Sequence, residues 1–174
     1  FMSDINVSFY NSIRETMPSK TVSIDFIINS IKIGTWAETV LKARQDMSLK
    51  QNLPCFSPTG IFKIRNKNQL MHYSGLLCFD LDNISNVVNT KTRISQLPWA
   101  YSVFVTPSGH GLKILVKTET DIELYQKTEK AIAWVLQENF GLIRDSRATG
   151  ISQPQYVSYD PQAYYNKESQ LFKF

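Results

Sequence analysis

Cysteine and histidine are scarce in this chain, with two of each in 174 residues. Cys55 and Cys78 have no metal-ligand spacing and sit in apolar context. A zinc-type site is excluded for want of thiolates. The two thiols read as reduced core residues of an intracellular, cytoplasmic protein. Besides His110 there is only His72, on an expected loop, and no serine triad can be drawn. No Gly-Lys-Ser/Thr occurs, which removes P-loop ATPase or helicase chemistry from this segment. No apolar run is long enough to span a membrane, and the N-terminus carries Asp4 without the apolar stretch of a signal peptide. Repeats and low-complexity segments are lacking as well.

The most informative shortage is of negative charge. Residues 47–118 hold eight basic side chains and only two acids, Asp80 and Asp82. Residues 1–46 balance five against five, and residues 119–174 carry six basic and eight acidic groups. A basic stretch whose only acids stand one residue apart suits a cation held at the centre with phosphates or a nucleic-acid backbone around it. The remaining composition, 43% hydrophobic and 20% charged, is that of an ordinary globular domain with enough chain to bury a core.

The two acids end the apolar run Leu77-Cys78-Phe79-Asp80-Leu81-Asp82-Asn83. Residues i and i+2 of a strand share a face, so Asp80 and Asp82 project side by side and repel unless a cation lies between them. A hard divalent ion, Mg²⁺ or Mn²⁺, meets that need. The plainer alternative is a strand followed by an Asp-rich turn.

Around this run the periodicity predicts an α+β fold. Residues 3–10 read as an edge strand. Ile24, Ile27, Ile28 and Ile31 form a helical stripe with Ser23 as N-cap and Gly34 after its end. Thr35 and Glu38 predict a capping box for a second helix burying Ala37, Val40 and Leu41, which completes a helical hairpin. Residues 61–65 alternate as a half-exposed strand. From residue 75 the order is strand (75–82), helix (84–97), strand (101–106), tight turn (107–111), strand (112–117), helix (121–140) and strand (156–159). That is the ferredoxin-like, RRM-like βαββαβ order. The expected organisation is one domain, with an N-terminal α/β extension over 1–74 and the RRM-like core over 75–174. Right-handed crossovers put the first core strand between the third and fourth. The Asp pair, the Ser108–His110 turn and the segment from Arg144-Asp145 then converge on one rim. The aromatic tail is expected to pack back on the body.

Two-metal phosphoryl transfer needs carboxylates that bridge ions ~3.5–4 Å apart. Asp80 and Asp82 are the candidate bridging pair, Asp145 the third ligand and Asp160 the reserve, placed away from the rim. Ser108-Gly109-His110-Gly111 offers backbone N–H groups, a hydroxyl and an imidazole to an anion, with glycines that permit close approach. An incidental hairpin is the alternative. Lys113 adds charge for a triphosphate, and Arg65 is a further phosphate-contact candidate.

Asp80-Leu81-Asp82, Ser108-Gly109-His110 and Asp145 together resemble the three-part signature of the archaeo-eukaryotic primase (prim-pol) superfamily. Leu53-Pro54, Thr59-Gly60-Ile61-Phe62, Ser74-Gly75-Leu76, Phe79–Asp82, Pro107–Lys113 and Val157–Pro161 are similar to the primase-like N-terminal domains of VirE-associated proteins from Bacteroidetes mobile elements. The resemblance implies metal at the three carboxylates, nucleoside triphosphate at the Ser-x-His turn and a single-stranded DNA template. It also implies a helicase or other C-terminal replication domain beyond this chain, which is then a fragment. One departure stands out. Where such domains carry a phosphate-contacting Arg before the last strand, this chain reads Ser152-Gln153-Pro154.

Three functions follow as expectations: a primase-polymerase catalytic domain, a primase-like module that binds nucleotide or nucleic acid without turnover, and a haloacid-dehalogenase-type phosphatase with Asp80 as nucleophile. The last requires a parallel alternating sheet, against which the hairpin at 101–117 argues.

Overall fold

The isoleucine stripe forms a helix as its spacing predicts. In the computed structural model, which describes residues 4–119, 121–144 and 150–173, helix α1 spans Ile24–Ile33. The Ser23 hydroxyl accepts the Phe26 N–H, and Gly34 ends the helix in the left-handed conformation. Ile24, Ile27, Ile28 and Ile31 are fully buried, each stabilising the fold by about 1.5–3 kcal/mol. Helix α2 (Ala37–Gln45) follows, but without the expected capping box. Trp36 occupies the cap position with no side-chain bond, and Glu38 pairs instead with Lys42. Its buried positions are Val40 and Ala43, whereas Leu41 is exposed.

Strands β1 (Asn6–Tyr10), β2 (Lys20–Ser23) and β3 (Cys55–Ser57) belong to one sheet. Strands β4 (Gly60–Phe62) and β5 (Leu70–Tyr73) make a separate hairpin. Then come β6 (Leu76–Leu81), α3 (Val87–Ser95), β7 (Ala100–Val105), β8 (Leu112–Lys117) and α4 (Tyr125–Phe140). The short strands β9 (Gln155–Tyr156) and β10 (Tyr164–Tyr165) complete the order. The first sheet runs β2-β1-β3-β9 and the second β10-β7-β8-β6. Every strand pair among the described residues is antiparallel, which excludes the parallel sheet that the phosphatase alternative needs.

The fold is α+β, and β6, α3, β7, β8 and α4 follow the expected order, with β6 beside β8. The expected closing strand differs. It is β9, it covers Gln155–Tyr156 rather than 156–159, and it pairs with β3 in the first sheet, not with β6. The physical reason is that β3, three residues between Pro54 and Pro58, offers a free ladder to which Val157 N–H also adds by bonding Pro54 O. The tail packs back as expected: β10 extends β7, and Phe172 sets its ring edge-on to Trp99.

The second sheet is buried on both faces, which is why β6 reads as a continuous apolar run. Leu76, Tyr101, Phe104 and Leu115 join Val7, Phe9, Phe56 and the α1 isoleucines in one core. Leu77, Phe79, Leu81, Leu112, Ile114 and Val116 join Ile94 of α3 and Ile132 and Leu136 of α4 in another. Val88 is exposed on α3. No helix among the described residues is long and apolar enough to cross a membrane.

Asp160 is buried and saturated. Its Oδ2 accepts from Lys91 Nζ at 2.8 Å and from Val105 N–H at 2.9 Å, while Oδ1 accepts the Gln162 N–H. Removing it strands the largely buried Lys91 charge, so Asp160→Ala is expected to lower stability by about 3–5 kcal/mol in urea unfolding. Burial also pushes the Cys55 thiol up to about 11 and that of Cys78 up to about 12. The folded state therefore keeps protons that the unfolded chain loses first. That contribution is intact below pH 9 and is lost as the pH climbs through 11 to 12. Unfolding free energy measured across this range is expected to fall less steeply in Cys55→Ala than in the parent.

Candidate functional site

Antiparallel pairing of β6 with β8 sets Asp80 opposite Lys113 and Leu81 opposite Leu112. Alternation turns Asp80, with Leu76 and Cys78, toward the first sheet. Lys113 lies on the same face, almost fully buried. Its ammonium donates to Asp80 Oδ2 and to Gln155 Oε1, both at 2.6 Å. Gln155 belongs to β9, so this lysine joins the two sheets. The second oxygen of Asp80, Oδ1, is buried and has no hydrogen-bond partner among the described residues. Asp82 lies one residue past the strand end, exposed, and Asn83 then takes a left-handed backbone (φ 56°) that turns the chain.

The Pro107–Gly111 turn sits directly against this end of β6. Ile84 N–H donates to His110 O at 2.9 Å, two residues beyond Asp82. Thr106 N–H bonds Gly111 O, and Gly109, at φ 82°, donates its N–H to Thr106 O. Ser108 Oγ lies 3.0 Å from Thr106 Oγ1 and accepts the His110 N–H at 3.2 Å. The imidazole is exposed at the same margin. Gly111 is required for close approach: a Cβ there would lie 2.4 Å from Leu81 O. Two of the three expected clusters are therefore brought together.

The third falls outside the described residues, because Asp145 does, as does Arg147. Arg144 reaches the opposite face of β6. It pairs with Glu129 of α4 at 2.6 Å, and its guanidinium lies 5.8 Å from the centre of the Phe79 ring. Among the described residues no three His, Cys, Asp or Glu side chains are grouped closely enough to hold a metal ion. Lys113 lies inside, between Asp80 and Gln155, rather than out on the turn. Arg65 is away from the rim. Its Nη2 donates to Ile13 O at 2.6 Å and its guanidinium lies over the Tyr10 ring. Asp160, expected far from the rim, approaches the rim end of β7 through Val105 but has no oxygen left over.

The model of the BT4734-like N-terminal domain family matches residues 48–165. The chain belongs to that family. The matched span runs from just before β3 through β10. It thus contains both carboxylates, the turn, Lys113 and Gln155, and it leaves α1 and α2 outside. No curated protein and no solved structure matches the chain.

Sequence reasoning overlooked Arg44 of α2, which reaches the turn from outside the matched span. Its Nε donates to Pro107 O at 3.3 Å and its Nη2 to Tyr159 O at 2.8 Å. Nothing local in Leu-Lys-Ala-Arg-Gln distinguishes it from a solvated helix charge. The role of Lys113 was more accessible, because alternation along Leu112–Lys117 puts it on one face with Leu115.

The contact of Gly111 with Leu81 yields a direct expectation. Gly111→Ala must push the turn off the strand, at a cost of about 1–3 kcal/mol. The Ile84 amide is then expected to exchange its hydrogen faster than in the parent, and faster relative to amides in α1.

Proposed function

We propose that this chain is a primase-like catalytic domain of the prim-pol superfamily. In this reading it joins nucleotides on a single-stranded DNA template during replication of a mobile element, with a helicase or further replication domain as partner. The observation that carries the reading is the stitch between the turn and the strand end. The Ile84–His110 bond and the Gly111–Leu81 contact hold Ser108 and His110 beside the segment bearing Asp80 and Asp82.

The residues present fit a divalent metal. Asp80 Oδ1 is a buried carboxylate oxygen without a donor among the described residues, Asp82 is exposed two residues along, and hard oxygens are the ligands that Mg²⁺ and Mn²⁺ take. Asp80 and Asp82 hold the metal in this proposal, with Asp145 as the third ligand of a two-metal site. Bound there, the ions supply charge neutralisation at the transferring phosphoryl group and a more acidic attacking hydroxyl. The chain's own groups do the rest. The Ser108 and His110 side chains bind the triphosphate. Lys113 serves as the counter-ion that aims Asp80, and Arg65 serves as a tie within the N-terminal part.

A second reading, a module that binds nucleotide or DNA without turnover, has two observations in its favour. Lys113 already neutralises Asp80 at 2.6 Å, and Ser152-Gln153-Pro154 lacks an arginine.

Primer synthesis on single-stranded DNA with Mg²⁺ or Mn²⁺ separates the two. The parent is expected to incorporate nucleotides, and Asp80→Asn and Asp82→Asn to lose more than about 100-fold, the usual worth of one group facing developing charge. The isosteric amide is preferred because Asp80→Ala would leave Lys113 buried and unpaired. Undiminished synthesis in Asp80→Asn would remove the assigned role, and binding without incorporation under either metal would favour the second reading.

A further inference from the structure

The Pro107–Gly111 turn is secured toward β6 by backbone bonds, whereas toward the N-terminal helices it is held by a single side chain. Arg44 contributes Nε to Pro107 O and Nη2 to Tyr159 O, and so fixes two segments remote in sequence with one planar fork. Directly above it is Gly109, where a Cβ would lie 3.5 Å from Nε. Both acceptors are neutral carbonyls. Among the described residues Arg44 makes no ion pair within 4 Å; the nearby carboxylate of Asp160 is taken up by Lys91, Val105 N–H and Gln162 N–H. A guanidinium thus lies half-buried under the turn with no carboxylate in direct contact among the described residues. A residue needed only for packing requires no such charge in a site where burial disfavours it.

We propose that Arg44 is the positioning residue of this turn: by clamping Pro107 O it presents the Ser108 and His110 side chains to the phosphates of a nucleoside triphosphate. The proposal rests on the function proposed above for the same rim. It differs from a simple charge effect, because a lysine ammonium cannot span both carbonyls in one plane. Misplacement of a binding loop by an ångström is enough to cost about 100-fold where geometry decides.

The test is calorimetric titration of the full chain, without divalent metal, with inorganic triphosphate and with a nucleoside triphosphate. The variants are Arg44→Met, Arg44→Lys, His110→Ala and the double variants with His110→Ala. The parent is expected to bind both ligands. Arg44→Met should weaken binding on the order of 10- to 100-fold, the range for groups that orient a binding residue. Arg44→Lys, which keeps the charge and the aliphatic stem, should recover only part of that loss. Coupling decides between orientation and general destabilisation: Arg44→Met added to His110→Ala should cost clearly less than the sum of the two. Parental affinity in Arg44→Met or in Arg44→Lys overturns the proposal, as does full additivity with His110→Ala, and each leaves the functional reading standing. A parent chain that binds neither ligand overturns both. Should Arg44→Met fail to fold, the Arg44→Lys series alone carries the comparison.

Discussion

The ammonium of Lys113 is the point through which the two sheets communicate. It is buried between a carboxylate of β6 and an amide of β9, each at 2.6 Å, in a core that is otherwise apolar on that face. An isolated charge there would be prohibitive, so the position of Asp80 is fixed by the need to compensate it. The same need fixes Gln155 and, through it, the attachment of β9 to β3. One electrostatic requirement thus aims the carboxylate at the rim and orders the segment that closes the first sheet. It also leaves Asp80 half-used. Oδ2 is committed to the lysine while Oδ1 is buried without a partner among the described residues, an arrangement that costs stability unless a cation or donor arrives.

The turn complements this by backbone geometry rather than charge. Gly111 lets Leu81 O approach to a distance that any β-carbon would forbid, and Gly109 takes a left-handed angle that L residues with side chains rarely adopt. Ser108 is partly consumed in holding the turn through Thr106 and the His110 N–H. Its hydroxyl therefore shapes the cradle as much as it fills it. The imidazole is the member left exposed.

Elements with strong, long periodicity were legible before any coordinates: α1 with both caps, the apolar β6, the β7–β8 hairpin and α4. Each is specified by its own residues, since burial on one or two faces writes a pattern of period 3.6 or an unbroken run. The misses share a physical cause. Strand β3 has three residues and β9 two, too short to carry alternation, so their pairing is decided by partners far away in sequence. With β3 unseen, the closing strand had nowhere to go but the edge of β6. The same limit hid Arg44, whose meaning comes from two carbonyls on other segments. At the rim, the juxtaposition of Asp80 with the Ser-x-His turn was readable from strand order, whereas the insertion of Lys113 between the sheets depended on the misplaced β9.

The charge asymmetry of residues 47–118 takes on a different meaning in three dimensions. Of the eight basic side chains, Lys113 is cancelled by the half-buried carboxylate of Asp80 and Lys91 by the buried one of Asp160. Arg65, Lys117 and Arg93 donate to backbone carbonyls and lie over aromatic rings, and Lys50 lies over Tyr156. Only Lys63 and Lys67 are exposed without a partner among the described residues. Carbonyls and ring faces orient a cation but do not neutralise it, so six positive charges still contribute to the field that an approaching polyanion feels. Few of them are loose enough to swing onto a phosphate. In the proposed function attraction and contact are therefore separated: the basic segment would supply long-range, salt-sensitive steering, and recognition would be left to the pre-shaped turn and the carboxylates beside it.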